Sequence, residues 1–289
     1  MPELPEVQTT VNGLNAKVLN RAFVDVWSDW EKTVKKPADF KTFKKELRGK
    51  KILGVWRRAK NVIFELSGGY SLLIHMKMTG HLLYGTWSMK HGTWMANSDG
   101  PLHDKMNGYL HLIFFLDDGQ MIALSDLRKF AKVELQKTED LLKIFEALGP
   151  EPLEKKFTLG KFQDLFNGKR GKVKQVIMAP EFIAGIGNIY ASEALWWARI
   201  HPTKSANLLS EKELRALYRA IKKVLATGID FGGDSFSDYR NVDGEKGKFE
   251  QQKKVYQNKG SPCARCKTPI ERMVIATRGT FYCPNCQKL

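Results

Sequence analysis

The sequence lacks long apolar runs, an acidic excess and scattered cysteines, and each absence excludes a class of protein. None of its 289 residues falls in an apolar stretch of about 18, which argues against a transmembrane segment. No apolar run follows a charged amino terminus, which argues against a secretory signal. Hydrophobic residues make up 43%, too many for a disordered polymer, and the length suits one large domain or two ordinary ones.

Acidic residues are the minority charge, with 31 Asp plus Glu against 47 Lys plus Arg, a formal net charge of +16. This balance predicts a polyanionic partner, with nucleic acid as the first candidate and an anionic membrane surface as the second. The basic residues concentrate in three clusters, at 41–60, 169–174 and 245–289. A single run is usually a solvated face, but three separated clusters favour a long anionic ligand contacted at several points.

The four cysteines all lie near the carboxyl end, as Cys263, Cys266, Cys283 and Cys286. Two C-x₂-C pairs place four thiolates on two tight turns, which predicts one tetrahedral Zn²⁺ site. Rubredoxin-like iron is the remaining alternative, and without a secretory signal disulfides are disfavoured. Because no His or carboxylate completes an open coordination position, we expect the metal to be structural and to fold its module.

Hydrophobic periodicity predicts an α+β protein. Val7, Val11, Leu14 and Val18 form a stripe of helical spacing. Two pairs of apolar runs read as β-hairpins, 62–66 with 71–75 and 110–116 with 121–124. The polar, aperiodic stretch 84–108 reads as a long loop or insertion.

Beyond residue 148 the pattern becomes helical. Ser210 and Glu213 form a capping box before an apolar stripe, and Gly228 is expected to end that helix. The expected domains are a β-sheet domain at 1–135, a hinge at 136–160, a helical module at 161–240 and a zinc module at 241–289.

Gly185-Ile186-Gly187-Asn188 precedes one helical stretch and can present backbone N–H groups and a helix amino terminus to an anion. Tight helix–helix turns use the same residues, so the motif alone is weak. With Lys169 and Lys174 just upstream, phosphate binding is the favoured interpretation.

Short motifs recur in order along nearly the whole chain. They are Pro2-Glu3-Leu4-Pro5-Glu6-Val7, Arg57-Arg58-Ala59-Lys60, His75-Met76-Lys77-Met78-Thr79-Gly80, Asp126-Leu127-Arg128-Lys129-Phe130, Leu148 to Leu153, Gly185 to Glu193, Ile200-His201-Pro202 and Arg278 to Cys283. Together they resemble the motifs of the formamidopyrimidine-DNA glycosylases, bacterial enzymes of base excision repair. The resemblance implies an amino-terminal helix on a β-sandwich, a helix–two-turn–helix module and a zinc-finger hairpin. It also implies damaged double-stranded DNA as the partner, a monomer, and a bacterial cytoplasmic location.

By this resemblance the nucleophile is the amine of Pro2, exposed once Met1 is removed. A secondary amine can attack C1′ of a damaged nucleotide, expel the base and form an iminium. Glu3 is implied as the acid that assists base departure or sugar opening. Lys60 and Arg278 are implied as phosphate contacts, credited with β-elimination and δ-elimination respectively.

The resemblance also implies a set of DNA contacts. Three residues would insert into the duplex, two as wedges and one as the reader of the orphaned cytosine: Met78, Phe130 and Arg128. Further contacts are expected at His75, at Tyr109 in place of the usual histidine, at the phosphate ligands Lys169, Lys174 and Asn188, and at Glu6 in a supporting role. The span 234–251 aligns with the family's mobile loop over the flipped base, although an ordinary linker would look similar.

The expected activity is that of a bifunctional glycosylase and abasic-site lyase acting on oxidised purines. Two alternatives are weighed against it. An endonuclease VIII-like enzyme for oxidised pyrimidines is disfavoured by Leu4, where that relative typically has Gly, and by the Arg128-x-Phe130 pattern. A non-catalytic zinc-containing DNA-binding protein would explain the charge and the cysteines but not the Pro2-Glu3 start.

Overall fold

The computed structural model describes residues 1–235 and 238–289, and its backbone divides into two compact units. The first unit comprises Met1–Glu146 and Phe231–Glu250, and the second comprises Ala147–Asp230 and Gln251–Leu289. Residues 231–250 are thus remote in sequence from the rest of the first unit but belong to it.

The first unit contains three α-helices and two main sheets within its described residues. The elements are α1 (Leu4–Val18), β1 (Phe23–Ser28), β2 (Val34–Lys36), α2 (Phe40–Leu47), β3 (Ile52–Arg58), β4 (Asn61–Leu66), β5 (Tyr70–His75), β6 (His81–Gly85), β7 (Trp87–Lys90), β8 (Thr93–Ala96), β9 (Leu110–Leu116), β10 (Met121–Ser125), β11 (Lys132–Lys137) and α3 (Thr138–Phe145). Sheet order is β1-β9-β10-β6 in one and β2-β11-β5-β4-β3 in the other, and all neighbours are antiparallel except β2 and β11. Both predicted hairpins are confirmed, as β4–β5 and β9–β10.

The two sheets share one hydrophobic core, so they form a β-sandwich. Phe23 of β1 lies with its ring centroid 6.3 Å from that of Phe64 on β4 and 5.6 Å from that of Phe114 on β9. The predicted stripe of α1, including Val7 and Leu14, is buried in the same core. Burial of this stripe explains why α1 forms, because a short amphipathic helix is stabilised mainly by packing.

The stretch 84–108 is more ordered than the loop that its composition predicts. Strands β7 and β8 pair as a hairpin, and two 3₁₀ turns follow at Pro101–His103 and Lys105–Gly108. Trp94 packs edge-on against Trp27 of β1, with ring centroids 5.4 Å apart, so the hairpin covers part of the sandwich surface. Tertiary packing of aromatic side chains therefore overrides a weak local pattern.

The second unit is mainly helical and ends in a short hairpin. The predicted capping box is confirmed, since Glu213 N–H lies 3.3 Å from Ser210 Oγ and Ser210 N–H 2.8 Å from Glu213 Oε2. The helix passes Gly228, contrary to expectation, because a glycine two residues before the end leaves the hydrogen-bond ladder intact. The elements are α4 (Leu159–Phe166), α5 (Val173–Met178), α6 (Asn188–Ala198), α7 (Glu211–Asp230), β12 (Glu271–Ile275) and β13 (Arg278–Tyr282). Across the described residues, none of the helices combines the length and apolar character needed to cross a bilayer.

Candidate active site

The amino terminus of α1 holds the first three candidate residues. Pro2 is buried, and Glu3, at 2% exposure, is the N-cap of the helix. The Glu3 carboxylate accepts from the backbone N–H of Glu6, and Glu6 Oε2 accepts from the Glu3 N–H at 2.7 Å. This reciprocal capping box fixes the conformation of Glu3, the residue after Pro2, at the positive end of the helix dipole.

Glu6 also binds the segment that returns from the far end of the chain. Its Oε1 accepts from the backbone N–H of Asp234 at 2.8 Å, and its backbone carbonyl accepts from the Tyr239 hydroxyl at 2.9 Å. Gly233 has φ +85°, and a Cβ there would lie 2.8 Å from Glu6 Cγ, so this approach requires glycine. Burial raises the pKa of Tyr239, so its hydroxyl remains a donor at any ordinary pH. Glu6 was predicted as a minor DNA contact, and in this structure it serves these backbone N–H groups.

Phe231–Ser235 and Asp238–Glu250 supply these contacts, and we call them the strap. Most of the span 234–251, predicted as a loop over the flipped base, lies in the strap. Two residues of that span, Phe236 and Ser237, lie outside the described residues.

Lys60 lies in the tight turn between β3 and β4, where Ala59 has φ +53°. Arg57 ties this turn to α1, because its Nε donates to Gln8 Oε1 at 3.0 Å and its Nη1 donates to the Ala59 carbonyl at 3.0 Å. Lys60, a half-buried residue, therefore lies on a turn that is bonded to α1.

His75, at the end of β5, is a neutral side chain in the same neighbourhood. Burial, reinforced by the charges of Lys77 and Lys60, lowers its pKa to about 4. Its Nδ1 accepts from the Lys77 N–H at 3.0 Å, so the remaining proton sits on Nε2. His75 can therefore offer one neutral N–H donor beside Lys60, without adding charge at neutral pH.

Two turns carry the residues predicted to insert into DNA, and one carboxylate joins them. Asp126, at 1% exposure, accepts from the Thr79 hydroxyl and, at 2.7 Å, from the backbone N–H of Ala131. Thr79 Oγ1 also accepts from the backbone N–H of Arg128 at 3.1 Å. The Met78 turn and the Arg128–Phe130 turn are thus fixed to each other.

The apolar side chains on these turns are partly exposed, as their predicted insertion into DNA requires. Met78 is 38% and Phe130 52% exposed, and the Arg128 guanidinium lies 4.6 Å from the centroid of the Phe130 ring. Large exposed apolar side chains on a basic protein mark an interaction surface rather than a core. Tyr109 is half-buried, and its carbonyl accepts from the Asp126 N–H at 2.8 Å. Tyr109 therefore lies next to the carboxylate that connects the two turns.

In the second unit, Lys174 and Asn188 meet the zinc-module hairpin. Lys174 is 1% exposed, and its Nζ lies 2.7 Å from Asn188 Oδ1 and 2.8 Å from Thr280 Oγ1. Asn188 Nδ2 donates to the Gly279 carbonyl at 2.9 Å. Arg278, exposed at the start of β13, lines with Lys174 a cavity of about 220 Å³. Two cations on one small cavity suit an anionic group such as phosphate.

Lys169 packs on an aromatic ring within the second unit. It is half-buried, and its Nζ is 5.4 Å from the Phe182 ring centroid. The contacts described above bring together Lys174, Asn188 and Arg278.

The four cysteines converge on one point, as predicted. Their Sγ atoms all lie within 4.8 Å of one another, with Cys266 Sγ 3.4 Å from those of both Cys283 and Cys286. A tetrahedron with Zn–S bonds of about 2.3 Å has sulfurs about 3.8 Å apart, so the thiols fit one structural zinc. Trp196 Nε1 donates to Cys263 Sγ at 3.4 Å, a contact that joins the knuckle to α6.

Sequence reasoning missed three side chains that hold these groups in place. Tyr239, Asp126 and Glu193 each act between segments far apart in the chain. Glu193 is 1% exposed and accepts from three backbone N–H groups, those of Lys254, Val255 and Tyr256, at 2.8–2.9 Å. Asp126 and Glu193 lie inside the motifs given above. A carboxylate within an apolar stretch is the sequence signal that could have indicated their buried, bonded positions.

Comparison with known proteins now defines the class. Residues 1–133 match the model of the formamidopyrimidine-DNA glycosylase N-terminal domain, 148–240 the H2TH domain of the same enzymes, and 260–289 a zinc finger found in FPG and IleRS. A Lactococcus lactis FPG mutant bound to Fapy-dG DNA and MutM bound to carbocyclic 8-oxo-G DNA each superpose with TM-score 0.86 and 33% identity over the whole of both chains. The class is therefore that of DNA glycosylases with an H2TH domain and a zinc finger.

Curated relatives narrow the class to a family. Formamidopyrimidine-DNA glycosylase of Chloroflexus aggregans is 38% identical over 290 residues, covering all of this chain and 99% of the relative. The enzyme of Pediococcus pentosaceus is 39% identical, with both chains fully covered. This chain belongs to the formamidopyrimidine-DNA glycosylase family. The resemblance, the α+β fold and the zinc finger predicted from the sequence are thereby confirmed.

Proposed function

We propose that this protein removes oxidised purines, chiefly 8-oxoguanine and formamidopyrimidines, from duplex DNA and then cleaves the abasic site. The observation that carries the proposal is the capping box. It fixes Glu3, the residue next to the Pro2 amine, at the positive end of α1. The relatives whose structures include Fapy-dG and 8-oxo-G DNA support the choice of purine lesions.

Pro2 is the proposed nucleophile once Met1 is removed. Its secondary amine attacks C1′, the bond from C1′ to the base breaks, and the opened sugar becomes an iminium on the proline nitrogen. The helix dipole of α1 disfavours the protonated amine and so favours the nucleophilic form. Glu3 supplies the proton that base departure or ring opening needs.

Strand cleavage follows from the iminium, because its positive charge acidifies the proton on C2′. Loss of that proton expels the 3′ phosphate (β-elimination), and a second elimination expels the 5′ phosphate (δ-elimination). Lys60, on its fixed turn, and Arg278, on the zinc hairpin, are the proposed phosphate ligands for these steps. Zinc takes no part in the chemistry, and its contribution is to fold the hairpin that carries Arg278.

A damaged base inside a duplex must leave the stack before an amine can reach C1′. Met78 and Phe130 are the proposed wedges, and Arg128 is the proposed reader of the orphaned cytosine. Their exposure and their joint at Asp126 support this assignment. His75, Tyr109 and Glu6 keep their predicted DNA contacts as proposals, alongside the phosphate ligands Lys169, Lys174 and Asn188.

The test is borohydride trapping on a duplex with 8-oxoguanine opposite cytosine. We expect a covalent adduct whose mass maps to the peptide that begins at Pro2, and a much smaller yield in Pro2→Gly, with Pro5→Gly as the matched substitution. An adduct on a lysine would reject the assignment of Pro2. Absence of any adduct with oxidised purines or pyrimidines would leave only a DNA-binding zinc protein.

Substrate preference distinguishes the proposed purine enzyme from the endonuclease VIII-like alternative. A purine enzyme excises 8-oxoguanine faster than an oxidised pyrimidine such as dihydrouracil, and the reverse order would favour the alternative. The monomeric state and the cytoplasmic location expected from the resemblance stay predictions.

A further inference from the structure

The insertion at 84–108 contacts the strap through an ion pair. Arg240, with its side chain 4% exposed, lies with Nη2 3.0 Å from both carboxylate oxygens of Asp104, and its Nη1 donates to the Tyr239 carbonyl at 2.9 Å. One guanidinium thus joins the insertion to the backbone of the strap. A buried guanidinium needs such a carboxylate, because an uncompensated buried charge is strongly destabilising.

A buried amide makes a second attachment a few residues further on. Asn107, at 1% exposure, donates through Nδ2 to the carbonyls of Pro101 at 2.8 Å and Gly244 at 3.1 Å. Its Oδ1 lies 2.9 Å from His81 Nε2. Gly244 has φ +84°, and a Cβ there would lie 2.7 Å from Asn107 Nδ2, so the contact leaves no room for a side chain.

From the strap the contacts continue to the candidate active site. Tyr239, adjacent to Arg240, donates its hydroxyl to the Glu6 carbonyl, and Thr10 Oγ1 lies 3.3 Å from the same hydroxyl. Glu6 in turn accepts from the Glu3 N–H. A continuous series of hydrogen bonds and one peptide bond therefore joins Asp104 to Glu3.

We propose that the insertion is a positioning element for catalysis, with Asp104 and Asn107 fixing the strap so that Tyr239 holds the first turn of α1. The proposal rests on the proposed function, in which Pro2 and Glu3 react with the substrate. Asp104 itself touches no reacting atom, so it is a positioning residue. Its loss allows α1 and Glu3 to shift, and it lowers the rate of the chemical steps rather than the affinity for DNA.

The decisive variants are Asp104→Asn and Asp104→Ala in the full zinc-containing chain. Asparagine keeps an oxygen for the turn, in which Oδ1 accepts from the Met106 N–H at 2.8 Å, but removes the charge and one of the two oxygens that accept from Arg240. Alanine removes the turn contact and both acceptors. The control is Asp118→Asn, since Asp118 also caps a turn, through the Gln120 N–H at 3.0 Å, and pairs with Arg21 at 2.9 Å. Among the described residues, no hydrogen bond or ion pair joins it to the strap.

Rates are measured per active site, counted by borohydride trapping, on 8-oxoguanine and on abasic-site duplexes. Because misplacement of reacting groups by about 1 Å can cost about a hundredfold, we expect kcat to fall about tenfold in Asp104→Ala, less in Asp104→Asn, and KM to stay constant. Hydrogen exchange of residues 2–7 and 231–235 should accelerate in the same order. The control should leave both measurements unchanged.

An unchanged kcat per active site, or a rise in KM alone, would overturn the proposal, since either result means that the insertion does not position the reacting groups. Hydrogen exchange tests the coupling of the insertion to α1 independently of activity. A wild-type chain without any adduct would reject the proposed function, while faster exchange in the Asp104 variants would still support the coupling of insertion and α1. Unaltered hydrogen exchange in both Asp104 variants would reject that coupling.

Discussion

Acid should destabilise the first unit through His81. The imidazole is fully buried on β6, with Nε2 beside Asn107 Oδ1, and burial lowers its pKa from an ordinary value of 6.5 to about 4. In the unfolded chain the same side chain takes up a proton as the pH falls below 7. Between pH 7 and 4 the unfolded state therefore binds more protons than the folded state, so stability falls as the pH falls.

The size of the effect follows from the displaced pKa. A pH of 5 lies 1.5 units below the ordinary pKa of 6.5 that the imidazole has in the unfolded chain. At about 1.36 kcal/mol per unit, the free energy of unfolding falls by about 2 kcal/mol. His75, whose pKa is also lowered to about 4, adds to the total slope of the wild-type protein. The contribution of His81 must therefore be measured as a difference between variants.

The assay is urea unfolding of the full chain at pH 7 and pH 5. His81→Gln can still donate to Asn107 but cannot be protonated, so it should lose about 2 kcal/mol less than wild type over this interval. His91→Gln, in the exposed turn between β7 and β8, controls for the exchange of an imidazole for an amide. If wild type and His81→Gln lose the same free energy, the reasoning about a neutral buried imidazole is wrong.

Two further predictions concern the zinc module and the wedge turns. Removing the metal with a chelator should abolish duplex binding, measured by fluorescence anisotropy. The circular dichroism signal of the β-strands in the first unit should remain. Duplex binding by verified metal-free protein would contradict a folding role for Cys263 and its partners. Thr79→Val removes the hydroxyl that joins the Met78 turn to Asp126 and to the Arg128 backbone. Discrimination between cytosine and adenine opposite the lesion should therefore fall, whereas Thr79→Ser should keep it. Equal discrimination in all three proteins would show that the joint does not orient Arg128.

The sequence was most informative where the structure depends on neighbours along the chain. The α1 stripe, the two hairpins and the Ser210–Glu213 capping box are set by local spacing and turn chemistry, and all form as predicted. The C-x₂-C pairs are similarly local, and their spacing alone indicated a tetrahedral site. The motifs that identified the family also belong to this group.

The insertion at 84–108 was mispredicted as a loop for a physical reason. Strands β7 and β8 are four residues each, too short for their periodicity to give a clear strand signal. Their stability comes from Trp94 against Trp27 and Phe115, with ring centroids 5.4 and 5.9 Å apart. Those partners lie on other strands, so no window of local sequence contains the interaction that orders the hairpin.

Glu6 shows the same limit within the site itself. A carboxylate in the first turn of a helix can accept from a backbone N–H there, and one oxygen of Glu6 accepts from the Glu3 N–H. The second oxygen accepts from Asp234, a residue 228 positions away, which no helix-start pattern can indicate. Since a carboxylate has two acceptor oxygens and both face N–H donors, the side chain that caps α1 also fixes the strap. The tertiary contact therefore adds the strap to the residues that set the position of Glu3.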